Sequence, residues 1–392
     1  MTKPKIAIAL DEMSVGGIPV ACLSFLDILK DRADVTMILE RAYGVFTNKI
    51  PDGVRVIVKP SDSVTTTLKK LIKKGKLFTC LFGLAKFFWY SRTDHWIRAS
   101  AAVCNCRETL LDEEFDCAIA YHGMSGNQMN RLLANVKAKK KIAWIHGDHS
   151  FERKHLKDAE WLYNRFDHIF CVSGVTKEKY LKDFPSLKDK TDIYYNHMPV
   201  NDIIERSLLP MDVDLSTECT NIVTVGRVSP EKGQDLIPSV ARLLCEKGYS
   251  FHWYVVGDGP DRQRIEGLIK EAKVDDTVIM LGNKTNPYPY IKACDIYVQP
   301  SYTEGFPLTI FEASILSKAI VATNVGGTKE KLCDGEEAIF VEPTAESIAA
   351  GIEKLLNDTA LCENIKKNLS KRDFSNKEEV EKLLNLIEDK EI

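Results

Sequence analysis

Short apolar runs recur along the chain, each followed by a turn and a stretch with helical spacing. In the first half they fall at 5–10 (KIAIAL), 35–39, 55–58, 117–121, 141–145, 168–172 and 192–195. In the second half they fall at 221–225 (NIVTV), 252–256, 277–281, 295–299, 319–323 and 338–341. Runs this apolar, alternating with helices, predict parallel strands buried on both faces. Helical patterns lie between them, among them Pro19–Lys30, 234–246, 260–272 and 307–317, and the tail SNKEEVEKLLNLIEDKEI reads as a short amphipathic helix. The rhythm breaks at 198–220, where two prolines and several acids predict a linker. The fold class is therefore α/β: two Rossmann-like, doubly wound parallel-sheet domains, 1–200 and 201–375, expected to face each other across a cleft. In such sheets ligands bind beyond the carboxyl ends of the strands.

A chain of 392 residues fits two domains. Its net charge of −3 supplies no basic field for nucleic acid. The opening MTKPKIAIALDEM meets an acid soon after its apolar run, so it reads as a strand and neither as a signal peptide nor as a membrane span. The 11 cysteines show no C-x-x-C pair, which suits reduced, structural thiols in a cytoplasmic protein.

Several strand-to-helix turns carry candidate chemistry. Gly16 and Gly17, in SVGGIPV, let backbone N–H groups approach an anion at a helix start, or simply make a tight turn. The full G-x-G-x-x-G fingerprint is missing, which disfavours a nicotinamide cofactor. In GRVSPEKGQDLI (226–237), Arg227 and Lys232 with helix-end N–H groups suit a diphosphate, although solvated surface charge is the plainer reading. Asp258, in VVGDGP, reads as a helix cap. In WIHGDHS (144–150), His146, Asp148 and His149 close a strand; a metal site helped by His122, an active-site lining and a polar loop all remain open.

EGFPLTIFE (304–312) is the most informative stretch. Pro307 suits a first helical turn, which puts Glu304 in the loop before a helix and Glu312 inside it. The rise per residue separates the two carboxylates by about 10 Å. That exceeds the roughly 5 Å of a retaining glycosidase pair. It suits two grips on one elongated ligand bearing hydroxyls, with phosphate at the helix start between them. Taken singly, each acid also reads as a surface residue or cap.

In this order and spacing, SVGGIPV, GRVSPEKGQDLI, VVGDGP and PSYTEGFPLTIFEASILSKAIVATNVGGTKE resemble the retaining glycosyltransferases of the GT-B fold, family 4 (group 1). The resemblance is specific over about 221–356 and weaker before it. It implies a nucleotide-sugar donor, UDP- or GDP-linked, and transfer with retained anomeric configuration without a cofactor or metal. It implies that Glu304 holds donor-sugar hydroxyls, that Glu312 binds the ribose, and that Arg227 and Lys232 neutralise the diphosphate. Gly16 and Gly17 would lie near the phosphates, backbone groups of Gly305, Phe306 and Pro307 would line sugar and phosphate, and His146, or His149 in its place, would face the transferred sugar. The implied acceptor is a glycan or lipid-linked glycan of surface-polysaccharide assembly, and the helix at 376–392 would pack back on the first domain. Rival readings are a non-catalytic nucleotide-sugar-binding subunit, expected to lack one of Glu304, Arg227 and Lys232, a nucleotide-sugar epimerase and a dehydrogenase.

Residues 68–92, LKKLIKKGKLFTCLFGLAKFFWYSR, add a possible site of action. Lys69, Lys70, Lys73, Lys74 and Lys76 precede Phe78, Phe82, Phe87, Phe88 and Trp89 in a run too short to span a bilayer. Basic and aromatic residues together suit peripheral contact with an anionic membrane at the inner face of the cell. The alternative is a buried helix with a solvated basic turn.

Overall fold

The computed structural model describes residues 3–14, 16–42, 44–60, 64–74, 77–107, 110–147 and 151–390. It contains two compact units, Met1–His197 with Lys377–Ile392, and Met198–Asn376.

The first unit is built on seven strands: β1 (Lys5–Leu10), β2 (Asp34–Leu39), β3 (Arg55–Val58), β4 (Glu114–Ala120), β5 (Lys137–Ile145), β6 (His168–Cys171) and β7 (Thr191–Ile193). They form one parallel sheet in the order β3-β2-β1-β4-β5-β6-β7. The second unit holds β8 (Thr220–Val225), β9 (Phe251–Val256), β10 (Val278–Gly282), β11 (Ile296–Gln299), β12 (Ala319–Thr323) and β13 (Ile339–Val341). These are also parallel, in the order β10-β9-β8-β11-β12-β13.

The central strands are buried on both faces, as their unbroken apolar sequences require: five of the six residues of β1 and of β2 are buried. β3 departs from this. It is an edge strand, and Val56 and Val58 on it are exposed. In each sheet the first strand lies beside the fourth, so the winding direction reverses between β1 and β4 and again between β8 and β11. At such a reversal the two following loops run in opposite directions and leave a crevice at the carboxyl ends.

Three local predictions need correction. The stretch 198–220 is not all linker: Val200–Arg206 is a helix packed in the second unit, because NDIIER between Pro199 and Pro210 has helical spacing. The helix expected at 234 begins at Ile237, preceded by two tight turns at Pro230–Lys232 and Gln234–Leu236 that Gly233 separates. Pro307 precedes its helix, Leu308–Ile315, instead of forming the first turn.

The segment Lys377–Ile392 belongs to the first unit. Within its helix Glu379–Ile387, Glu379 accepts a hydrogen bond from the Tyr195 N–H (3.2 Å), Lys382 donates to the Ile193 carbonyl (3.2 Å) and Glu381 pairs with Arg32 (2.8 Å).

Candidate active site

In the second unit the reversal between β8 and β11 gathers the charged residues. The loop after β8 carries Lys232; the loop after β11 carries Glu304. Lys232 Nζ lies 2.8 Å and 2.9 Å from the two carboxylate oxygens of Glu304. Both residues are held from behind. Gly233 has a left-handed φ of 65°, and a Cβ there would strike the Pro300 carbonyl, so only glycine lets the two loops close on each other. Gly326, after β12, has a φ of 57° and sits the same way against the Glu304 carbonyl.

Beneath Glu304 runs a chain of buried polar groups. Ser301 Oγ donates to Glu304 Oε1 (2.7 Å), and so does Gln299 Nε2 (3.2 Å). The Gln299 carbonyl oxygen in turn accepts from Tyr297 (2.8 Å) and Thr309 (3.2 Å). A carboxylate that is 7% exposed is expensive to bury without such partners. Sequence reasoning missed Gln299 and Ser301; the available signal was a glutamine closing the apolar strand DIYVQ.

Glu312 stands on the next helix, Leu308–Ile315, and is also buried. Burial pushes its carboxyl up to about 7; the charge of Arg206 and a hydrogen bond from Tyr288 oppose this. The Arg206 guanidinium stacks 4.7 Å from the centre of the Tyr288 ring. Arg206 ends the helix Val200–Arg206, so a stretch read as linker supplies a cation whose charge acts on this acid.

The other predicted residues sit less centrally. Arg227 is 69% exposed and pairs with Glu231 (2.7 Å), outside the Lys232–Glu304 pair. Phe306 is buried and stacks on Phe311 with ring centres 4.5 Å apart, which fixes the turn Gly305–Pro307. Asp258 does not cap a helix; it accepts from the N–H of Gly259 and pairs with Arg262 (3.2 Å).

In the first unit Gly16 and Gly17 are exposed at the start of the helix Gly17–Leu29. His146 follows β5 and its ring lies 4.7 Å from that of Tyr121. Burial first, then His122, lowers its imidazole to about 3, against a hydrogen bond to the Tyr121 backbone. Its Nε2 is buried and has no protein hydrogen-bond partner. The neutral ring therefore keeps a buried acceptor nitrogen without a protein partner. Asp148 and His149 lie outside the described residues. Among the described residues no three His, Cys, Asp or Glu side chains converge as metal ligands.

Residues 213–372 match the model of the family described as glycosyl transferases group 1. The chain is 27% identical over 266 residues to the N-acetylgalactosamine-N,N'-diacetylbacillosaminyl-diphospho-undecaprenol 4-alpha-N-acetylgalactosaminyltransferase of Campylobacter jejuni, covering 65% of this chain and 70% of that one. It is 26% identical over 294 residues to the 2-deoxystreptamine N-acetyl-D-glucosaminyltransferase of Niallia circulans, covering 66% and 75%. Among solved structures, HepE of Anabaena in complex with UDP superposes with a TM-score of 0.70 at 17% identity, covering 98% of this chain and 100% of that one. The fold is thus that of GT-B glycosyltransferases.

Proposed function

We propose, from the premise that this chain is a nucleotide-sugar-dependent glycosyltransferase of group 1, that it moves a glycosyl group with retained anomeric configuration to a lipid-linked glycan of surface-polysaccharide assembly. The observation that carries the reading is the Lys232–Glu304 pair at the β8/β11 reversal, backed by Ser301 and Gln299.

An ammonium has three donors, and Glu304 occupies two of them. The third is available to the β-phosphate of a donor sugar, with Arg227 as a second cation from the exposed side of the same loop. Glu304 Oε2, bonded to Lys232 while Ser301 and Gln299 donate to Oε1, takes a sugar hydroxyl. Glu312 takes ribose hydroxyls, and backbone groups of Gly305, Phe306 and Pro307 line the sugar and phosphate.

In the transfer step the bond from the anomeric carbon to the β-phosphate oxygen breaks on the face where the acceptor oxygen bonds. The acceptor's proton passes to the departing phosphate oxygen. Charge grows on the leaving nucleoside diphosphate, and Lys232 and Arg227, already in place, stabilise it without a metal. UDP is favoured over GDP as the leaving group because HepE, of the same fold, is solved with UDP and with UDP-glucose. The lipid-linked acceptor is favoured by the Campylobacter relative, whose name specifies a diphospho-undecaprenol substrate.

The test is a panel of UDP- and GDP-sugars with the full chain, reading nucleotide release and the anomeric configuration of the product by NMR, with and without chelator. Release of UDP from one sugar with retained configuration in EDTA is expected. An inverted product, or activity that needs an added divalent ion, overturns the reading.

A further inference from the structure

The helix Leu77–Arg92 carries an apolar stripe that its own unit does not cover. Phe78, Leu81, Phe82, Phe88 and Trp89 are 84%, 58%, 56%, 56% and 69% exposed. Their spacing puts them on one face of the helix over three turns. The opposite face is the packed one. Gly83, Leu84 and Phe87 turn inward and share a crevice with Val103 and Cys106. A Cβ on Gly83 would overlap Cys106 Sγ, so the helix lies tight on its neighbour Trp96–Asn105 and cannot roll to hide the stripe. One exposed leucine is ordinary, but five large apolar side chains in one patch mark a contact surface.

The charge around the stripe is one-sided. Residues 63–93 contain Lys69, Lys70, Lys73, Lys74, Lys76, Lys86 and Arg92 and no acid, in a chain whose net charge is −3. Lys69, Lys70, Lys73 and Lys74 are exposed along the helix Val64–Lys73 and the turn after it, and Ile72 among them is 56% exposed. Lys86 Nζ lies 4.3 Å over the Phe82 ring, a cation at the border of the apolar face. Lys76 lies outside the described residues.

We infer that these two helices dock the chain on the headgroup layer of an anionic bilayer, with the aromatic stripe sunk into the acyl boundary and the lysines on lipid phosphates. No helix among the described residues is long and apolar enough to cross a membrane, so the contact runs along the surface. Charge selects this occupant over a second copy of the chain. Two such faces brought together would oppose cation to cation, whereas an anionic surface satisfies both the rim and the stripe. The inference stands apart from the transfer reading, because it concerns other residues and its test needs neither donor nor acceptor.

The experiment is co-sedimentation of the full chain with phosphatidylcholine vesicles, and with the same vesicles containing phosphatidylglycerol, across a salt series. One variant changes Lys69, Lys70, Lys73 and Lys74 to Ser; the other is Phe82→Ser with Trp89→Ser. Unchanged circular dichroism and thermal melting show that both fold. Wild type should pellet with the anionic vesicles and release as salt rises. Each lysine near such a surface is worth roughly fivefold in partitioning, so the lysine variant should bind at least about tenfold more weakly. The aromatic variant should lose the binding that survives in salt. Equal pelleting of variants and wild type overturns the inference, as does no pelleting of wild type on anionic vesicles at low salt. A dimer by light scattering that only the aromatic variant abolishes, with vesicles ignored, assigns the stripe to a second copy instead. Pelleting without any sugar transfer would sink the transfer reading and leave this one standing.

Discussion

The ammonium of Lys232 forks across both carboxylate oxygens of Glu304, at 2.8 Å and 2.9 Å, and so ties the loop after β8 to the loop after β11. The two residues form a unit, since each fixes the other's position while facing a different part of the proposed donor. Lys232→Ala and Glu304→Ala should each lower kcat/KM by about a hundredfold or more. The double variant should be little worse than the worse single one, as for groups that act together. Losses that multiply in the double variant would show two independent sites. Lys232→Ala should also destabilise the chain by about 1–3 kcal/mol in thermal or urea unfolding, because it strands a buried carboxylate.

Gln299 and Ser301 act through Glu304. Gln299→Leu leaves the strand packed but removes one donor to Oε1 and the acceptor for Tyr297 and Thr309. It should lower kcat while UDP affinity by calorimetry stays near wild type, with Gln299→Asn recovering part of the loss. Weakened UDP binding with normal kcat would place Gln299 on the nucleotide instead.

Glu312 gives a pH dependence with a definite sign. Its folded pKa of about 7 lies above the ordinary carboxyl value of 4.5, so between those values the folded chain holds a proton that the unfolded chain gives up. The contribution of this group to stability is fully present below 4.5 and is lost as pH rises through about 7. In the proposed role the ionised carboxylate is the stronger acceptor for ribose hydroxyls, so UDP affinity should fall as pH drops below about 7. Glu312→Gln should bind UDP more weakly and flatten that slope. A wild-type affinity constant from pH 6 to 8, measured by calorimetry, would remove Glu312 from the nucleotide site.

His146 should stay neutral throughout the working range. With its imidazole lowered to about 3, its NMR signals should not titrate between pH 5 and 8, and the pH profile of turnover should keep its shape in His146→Gln. Stability linked to this histidine is present above the ordinary imidazole value of 6.5 and is lost as pH falls toward about 3, where the unfolded chain takes a proton first. A His146 titration near neutrality would contradict the buried acceptor.

The strands were legible because parallel strands buried on both faces have no polar positions to blur them, as in KIAIAL and NIVTV. The exposed edge strand RVIV was misjudged for the same reason: apolar residues there carry no mark of their neighbours. Glu304, Glu312 and Lys232 stood out as charges at strand-to-helix turns. What sequence did not reveal was who touches whom. Lys232 and Glu304 are 72 residues apart, and their pairing is set by the sheet order, which local pattern does not encode. Arg206 was hidden because prolines on both sides made its short helix look like a connection, and Gln299 because a polar residue ending a strand usually faces water.

The helix Glu379–Ile387 has a consequence for how the chain is made. The first unit borrows its closing helix from the far end of the sequence, and the entire second unit is threaded between. A ribosome therefore releases Met198–Asn376 before the partner of Tyr195 and Ile193 has been synthesised. The first-made unit has to wait, unfinished at its β7 border, while the later one closes on local contacts, reversing the usual order in which domains mature during synthesis.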